Sequence, residues 1–328
     1  MLIKFFKQSY LQQFIALFAI QVFLWGKYLI SPQPLDIHNR IHPIYGLIMN
    51  FVGDNQWTAT FIAFLMVALG AVLINVIMIK SELAPKNSLI PGLIFITLLS
   101  QGPSILSLYP ELISVIFILL AIDRIMQCYG ESDILVINNI LSAGLFISLA
   151  AFSYLPAIWF MLIIWIAMFI FRQLSFRIWV ISIIGLMLPF MYFAAYNYVF
   201  DKPVEIFREL LNYYGFIDQI LLKYPDPTYI IWGIIALFTI ISLLYSLTHL
   251  NEWNVNVRRK IIVLLWLLII TLPMGLYGHE DFLASQVFQM IPITVFVSFY
   301  ISSIKIKKWQ EAVFLLFLIL VFLNNHLY

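Results

Sequence analysis

LISPQPLDIHNRIHPIYGLIMNFVGDNQW, residues 29–57, separates two long apolar runs and decides how the rest of the chain is read. The flanking runs, at about 10–30 and 57–79, are each long enough to cross a hydrocarbon core as a helix, which takes about 20 apolar residues. The stretch between them holds Asp36, His38, Arg40, His42 and Asp54, and proline at 32, 34 and 43. It cannot cross. It reads as a loop, 31–56, joining two crossing helices on one side of a bilayer.

Composition extends that reading to the whole chain. Of 328 residues, 63% are hydrophobic and 10% charged, and the mean hydropathy is +0.99. A soluble domain carries roughly 25% charged residues on its surface. The expected fold is therefore all-α: a polytopic integral membrane protein forming a single membrane domain over 1–328. The net charge of +2 leaves no basic face for nucleic acid. The one cysteine, Cys128, allows no internal disulfide. Lys4 and Lys7 precede the first run as in a signal peptide. That run ends without a small-residue cleavage site, so it reads as an uncleaved first span.

Further apolar runs lie at about 88–108, 111–128, 134–152, 155–171, 178–198, 228–248, 260–277, 283–303 and 310–327, which predicts about eleven spans. Gly102-Pro103 interrupts the third, which is expected to end near Ser100 and continue as a broken or re-entrant piece. Placing the N-terminus in the cytoplasm leaves only Lys27, Arg40, Lys202, Arg208 and Lys223 outside. The remaining thirteen Lys and Arg fall inside, as the positive-inside rule requires. The C-terminus then lies outside, and a bacterial inner membrane is the expected location.

Two sizeable loops face outward in this arrangement, 31–56 and about 199–227. Both carry amphipathic patterns that suit helices lying in the interface. In the first, Ile41, Ile44, Tyr45, Ile48 and Phe51 form the apolar stripe. In the second, Val204, Phe207, Leu210, Leu211 and Tyr214 do so, after a helix-starting Pro203. Trp25, Tyr28, Trp57, Tyr109 and Tyr229 fall near outer boundaries, where amphipathic rings are favoured. The inner loops are short and none could hold a nucleotide-binding fold.

Few residues could carry chemistry. Asp36 reads either as a general base at the interface or as a helix cap. Arg40 reads either as a phosphate ligand or as a headgroup contact. His38 and His42 have the i, i+4 spacing of metal ligands, but Pro43 disfavours helix at His42, and no metal is expected. His279, Glu280 and Asp281 share a very short outer loop; they could complete a site with Asp36 or form a solvated turn. Glu111 follows Pro110 at an outer helix start, which it suits as a first-turn acid. Asp123 and Arg124 lie late in that span, and an intramembrane ionisable pair is a functional suspect. They point different ways on a helix and are not expected to pair; Arg124 is expected to snorkel inward. Asn75, Asn138, Asn139, Gln286 and Gln289 are expected to bond between helices. Gly144, Gly185 and Gly233 are expected to let helices approach closely. Phosphate-cradling glycine loops, G-x-S-x-G and C-x-x-C are absent, which removes kinase, serine-hydrolase and thiol-redox readings. The sequence names no cofactor.

In layout the chain resembles the GT-C superfamily of membrane glycosyltransferases, which take sugars from polyprenyl-phosphate carriers on the outer side of the membrane. The shared features are a cytoplasmic N-terminus, about eleven spans, a first outer loop with interfacial helices and an acid, a second large outer loop after the seventh span, and short inner loops. The resemblance implies that Asp36 is the catalytic base and Arg40 binds phosphate, with His279 or Arg208 as further phosphate contacts. It places His38, His42, Asp54, Glu111, Glu280 and Asp281 among substrate-binding candidates. It also implies a membrane lipid, a polyprenyl-phosphate-linked sugar, as partner. That family often sets two acids together in the first loop; here Asp54 follows Asp36 by eighteen residues. The chain is also similar to a multi-pass inner-membrane family of Bacteroidota, which implies a location but no activity. A rival function class stays open: a non-catalytic scaffold or transporter subunit of an envelope complex.

Overall fold

The computed structural model describes residues 2–8, 10–33, 42–53, 55–102, 106–173, 175–199, 215–216, 226–274, 277–278, 286–304 and 308–327. The regular structure in these is helical, apart from one two-residue antiparallel ladder. A short α1 (Leu2–Phe5) precedes α2 (Leu11–Ile30), α3 (Pro43–Val52), α4 (Gln56–Lys80), α5 (Ile90–Leu98), α6 (Pro110–Gln127) and α7 (Asp133–Ser153). A 3-10 turn, Leu155–Phe160, leads into α8 (Met161–Phe171). Then come α9 (Phe176–Val199), α10 (Asp226–Thr248), α11 (Val255–Met274), α12 (Val287–Ser303) and α13 (Lys308–Leu327).

Each apolar run read from the sequence has helix in its described part, although the third is helical only over Ile90–Leu98. Among the described residues five helices are long and apolar enough to cross a membrane: Leu11–Ile30, Gln56–Lys80, Asp133–Ser153, Phe176–Val199 and Tyr229–Thr248. Their outward faces stay apolar, as lipid-facing surfaces must; Phe18, Phe61, Ile184, Leu237 and Leu244 are all exposed.

The centre is built from α5 and α12. All nine residues of α5 are buried, as is every residue of α12 from Val287 to Phe299. These two helices pack on each other, with α4, α6, α10 and α11 around α12. Burial explains why both are apolar on all sides. On the other flank α6 lies along α7 and α7 along α9. The α7–α9 contact is close because two glycines face each other: a Cβ on Gly144 would sit 3.1 Å from the Gly185 Cα, and one on Gly185 would sit 2.7 Å from the Leu141 carbonyl oxygen. Gly233 behaves differently from expectation. A Cβ there meets nothing within 4 Å, so it opens space instead of closing it.

The third run is shortened as its sequence suggested. The helix stops at Leu98, Leu99 N–H closes its last turn on the Phe95 carbonyl at 2.9 Å, and residues 99–102 are buried beyond it. Exposed carbonyls in such a break must find donors in a dry interior. They do. Asn325 Nδ2 donates to the Ser100 and Leu24 carbonyls at 2.6 and 3.3 Å, and Asn324 Nδ2 donates to the Gln101 carbonyl at 2.9 Å. Trp25 Nε1 donates to Ser100 Oγ at 3.0 Å. Trp25, Tyr28 and Tyr109 are therefore interior groups, not interfacial anchors; Trp57 and Tyr229 do reach the surface.

Polar contacts collect at two ends of the bundle. One is the basic end. There Lys80 pairs with Asp123 at 3.6 Å, and Gln127 Nε2 donates to the same carboxylate at 2.6 Å. Asn256 donates to Glu82 at 3.2 Å. Arg259 donates to the Phe171 carbonyl at 3.3 Å and lies over the Tyr129 ring. Asp123 is thus an ion-pair partner from α4's neighbour, and Arg124 is exposed beside it, as snorkelling requires. The opposite end, the loop end, holds α3, the 3-10 turn and the short ladder.

Candidate functional site

The loop end is where the sequence concentrates its ionisable candidates, and α3 organises it. Pro43 starts the helix, with His42 as its extended N-cap residue. Gly53, at φ 67°, ends it; that left-handed backbone favours glycine. Tyr45 and Met49 face inward, and Tyr45 Oη donates to the Leu108 carbonyl at 3.2 Å. Leu47 and Phe51 face outward, Phe51 being 93% exposed. Phe51 was expected on the same stripe as Tyr45. The observed helix instead buries one side in protein and leaves other apolar groups outside, as a helix at a lipid interface does.

His42 is 1% exposed, with its ring 6.3 Å from the Tyr154 ring. Tyr154 stacks on Phe288 at 5.4 Å, and Phe160 packs against the same phenylalanine. His42 therefore sits on an aromatic floor contributed by the α7 end, the 3-10 turn and the central helix α12. Glu111 lies in the first turn of α6, three residues beyond the Leu108 carbonyl that Tyr45 holds. The structure thus brings His42, Tyr45, Tyr154 and the α6 start to one end.

Beside them an apolar groove of about 740 Å³ runs between the loop ends of α3, α7 and α9. Pro43, Ile44 and Leu47 form one wall; Leu149 and Phe152 form the back; Leu188, Tyr192 and Tyr196 form the other wall. Its upper rim at Pro43 adjoins His42.

A second feature links the loops. Gly215 pairs with Gly278 and Phe216 with Tyr277, antiparallel. This ladder ties the 199–227 loop to the backbone immediately before His279-Glu280-Asp281. Asp36, His38, Arg40, Asp54, Arg208, His279, Glu280 and Asp281 themselves lie outside the described residues. Among the described residues no cluster of three His, Cys, Asp or Glu could hold a metal ion.

Of the amides expected to bond between helices, Asn75 accepts from Gly92 N at 2.9 Å and Gln289 donates to the Thr271 carbonyl at 3.3 Å. Asn138 is exposed, and neither it nor Asn139 bonds across helices among the described residues. The amides that matter more were missed: Gln101, Asn324 and Asn325, with Gln21, which donates to the Phe64 carbonyl at 2.7 Å. A pair of asparagines near the end of an apolar run, with a Gly-Pro break elsewhere, was the available signal.

No family model, curated protein or solved structure matches this chain.

Proposed function

We propose that the chain is an eleven-span inner-membrane protein with a cytoplasmic N-terminus and an outward C-terminus, and that it acts as a GT-C-like glycosyltransferase on a lipid-linked sugar at its outer face. The contacts at the two ends support the alternation of spans. Groups from the short loops the charge rule places inside meet at the basic end, and groups from the loops it places outside meet at the loop end. The observation that carries the enzymatic reading is the groove between α3, α7 and α9. It is apolar, it lies between three helices with exposed apolar side chains, and its lining Pro43 follows the buried His42 in the chain.

In this reading the carrier's hydrocarbon lies in the groove, and its phosphate rises toward His42 and Arg40. Asp36 takes the proton from the acceptor hydroxyl as that oxygen attacks the anomeric carbon. The carbon–phosphate-oxygen bond breaks and the carrier phosphate leaves with the electron pair. Positioning and exclusion of water supply the acceleration, since the phosphate is a ready leaving group. The break after α5 favours a transporter reading, but Asn324 and Asn325 already occupy its Ser100 and Gln101 carbonyls.

The test is a transfer assay on purified full-length protein with a panel of polyprenyl-phosphate sugars. Transfer by the wild type and its loss in Asp36→Asn, with unchanged thermal unfolding, is the expected result. Full transfer by Asp36→Asn removes the base assignment.

A further inference from the structure

A separate cavity lies toward the basic end, away from α3. It has a volume of about 530 Å³ and is enclosed by α5, α10, α12 and α13, with Ile3 of α1 at its foot. Its walls are Ile, Leu, Val and Phe side chains; the only polar lining residues are Thr97, Tyr300 and Gln310. Thr97 Oγ1 is already bonded to the Ile94 carbonyl at 2.8 Å. A bound water needs two to four polar partners, and this lining offers too few. The cavity follows α12 from Ile293 to Ile304, roughly 15 Å at the helical rise. Gly233 lines it on the α10 side, where a Cβ would meet no atom within 4 Å. The α10 surface around it is exposed and apolar at Ile230, Leu237 and Ile241.

The foot of the cavity is cationic. Lys7 Nζ donates to the carbonyl of Ile304, a lining residue, at 3.4 Å. Lys4 is exposed on α1 and Lys308 is exposed at the start of α13, two residues before the lining Gln310. Burial, and then the nearby Lys4 charge, push the Lys7 ammonium below its ordinary range. An anion at this mouth would relieve the repulsion.

We infer that this cavity holds one hydrocarbon chain of an anionic glycerophospholipid, whose phosphate rests against Lys4, Lys7 and Lys308. The tail site follows from the apolar lining and the exposed apolar α10 surface beside it; the choice of an anionic headgroup follows from the lysines. Its assignment to the inner leaflet rests on the orientation proposed above.

The full chain, purified in mild detergent, is offered phosphatidylglycerol and phosphatidylethanolamine and weighed by native mass spectrometry. The expected result is one retained phosphatidylglycerol, preferred by about tenfold or more, given the attraction of two or three basic residues for an anionic headgroup. Gly233→Phe fills the void and should lose the retained lipid while unfolding no earlier than the lipid-free wild type. The pair Lys4→Gln and Lys7→Gln should keep a lipid but lose the preference. A phosphatidylglycerol with a photoreactive acyl chain should label wild-type residues within 230–241 and 313–317, which needs no variant to fold. Equal retention of both lipids, labelling confined to other segments, or undiminished retention by Gly233→Phe overturns the inference. Labelling of Lys308→Cys by an impermeant maleimide in intact cells would instead overturn only the leaflet.

Discussion

Asn325 serves two backbone oxygens with one amide group: that of Ser100, just past the end of α5, and that of Leu24, within α2. Replacing it by leucine takes the amide donor from the buried Ser100 carbonyl, a cost of about 1–3 kcal/mol. Asn325→Leu should therefore melt earlier in detergent by intrinsic fluorescence; an unchanged melting curve would falsify the capping role. The glycines separate in the same assay. Gly185→Leu forces α7 and α9 apart and should cost about 1–3 kcal/mol. Gly233→Ala should stabilise by about 1 kcal/mol, the helix-propensity difference, because nothing opposes its Cβ. From the sequence all three glycines read alike. What distinguishes them is what stands opposite, and that belongs to another helix. Asp123 teaches the same point: its Lys80 partner lies forty-three residues earlier. The pair is half open to solvent, so Lys80→Gln should change stability by no more than about 1 kcal/mol.

At the scale of elements, long apolar helices were legible because a lipid solvent leaves no other way to satisfy the backbone. The α3 helix was legible from Pro43 and its stripe, although Phe51 points outward. The α5 break was legible from Gly102-Pro103, but not its partner, because the Asn324-Asn325 caps lie more than two hundred residues away. Of the candidate site only His42 and Glu111 fall among the described residues. His42, Tyr45 and the α6 start do gather at one end, yet their neighbour Tyr154 carries no signal in its own sequence context. The α2–α5 junction offers a clean check of how elements couple. Ser100→Ala leaves the Trp25 indole N–H unpaired, and Trp25→Phe removes that donor. The double variant should be less destabilised than the sum of the singles, as measured by a double-mutant cycle in thermal unfolding. Strict additivity would show that the bond contributes nothing.

The whole molecule sorts its loops into two groups, and the single thiol makes that sorting measurable. Cys128 is fully buried, with its sulfur bonded to the Arg124 carbonyl, so the wild type should be silent to maleimides. Asn50→Cys should then label from outside intact cells, and Glu131→Cys only after permeabilisation. The reverse pattern would invert the orientation and with it the side on which any chemistry occurs.

The chain's middle is also made late. Residues 287–299 occupy the centre of the bundle, yet α1 to α11 leave the ribosome before them. Until α12 is made, α4, α5, α6, α10 and α11 lack the helix they all pack on. Nascent fragments ending before Val287 should accordingly be stripped out by membrane quality-control proteases, while fragments ending after Ser303 should survive longer.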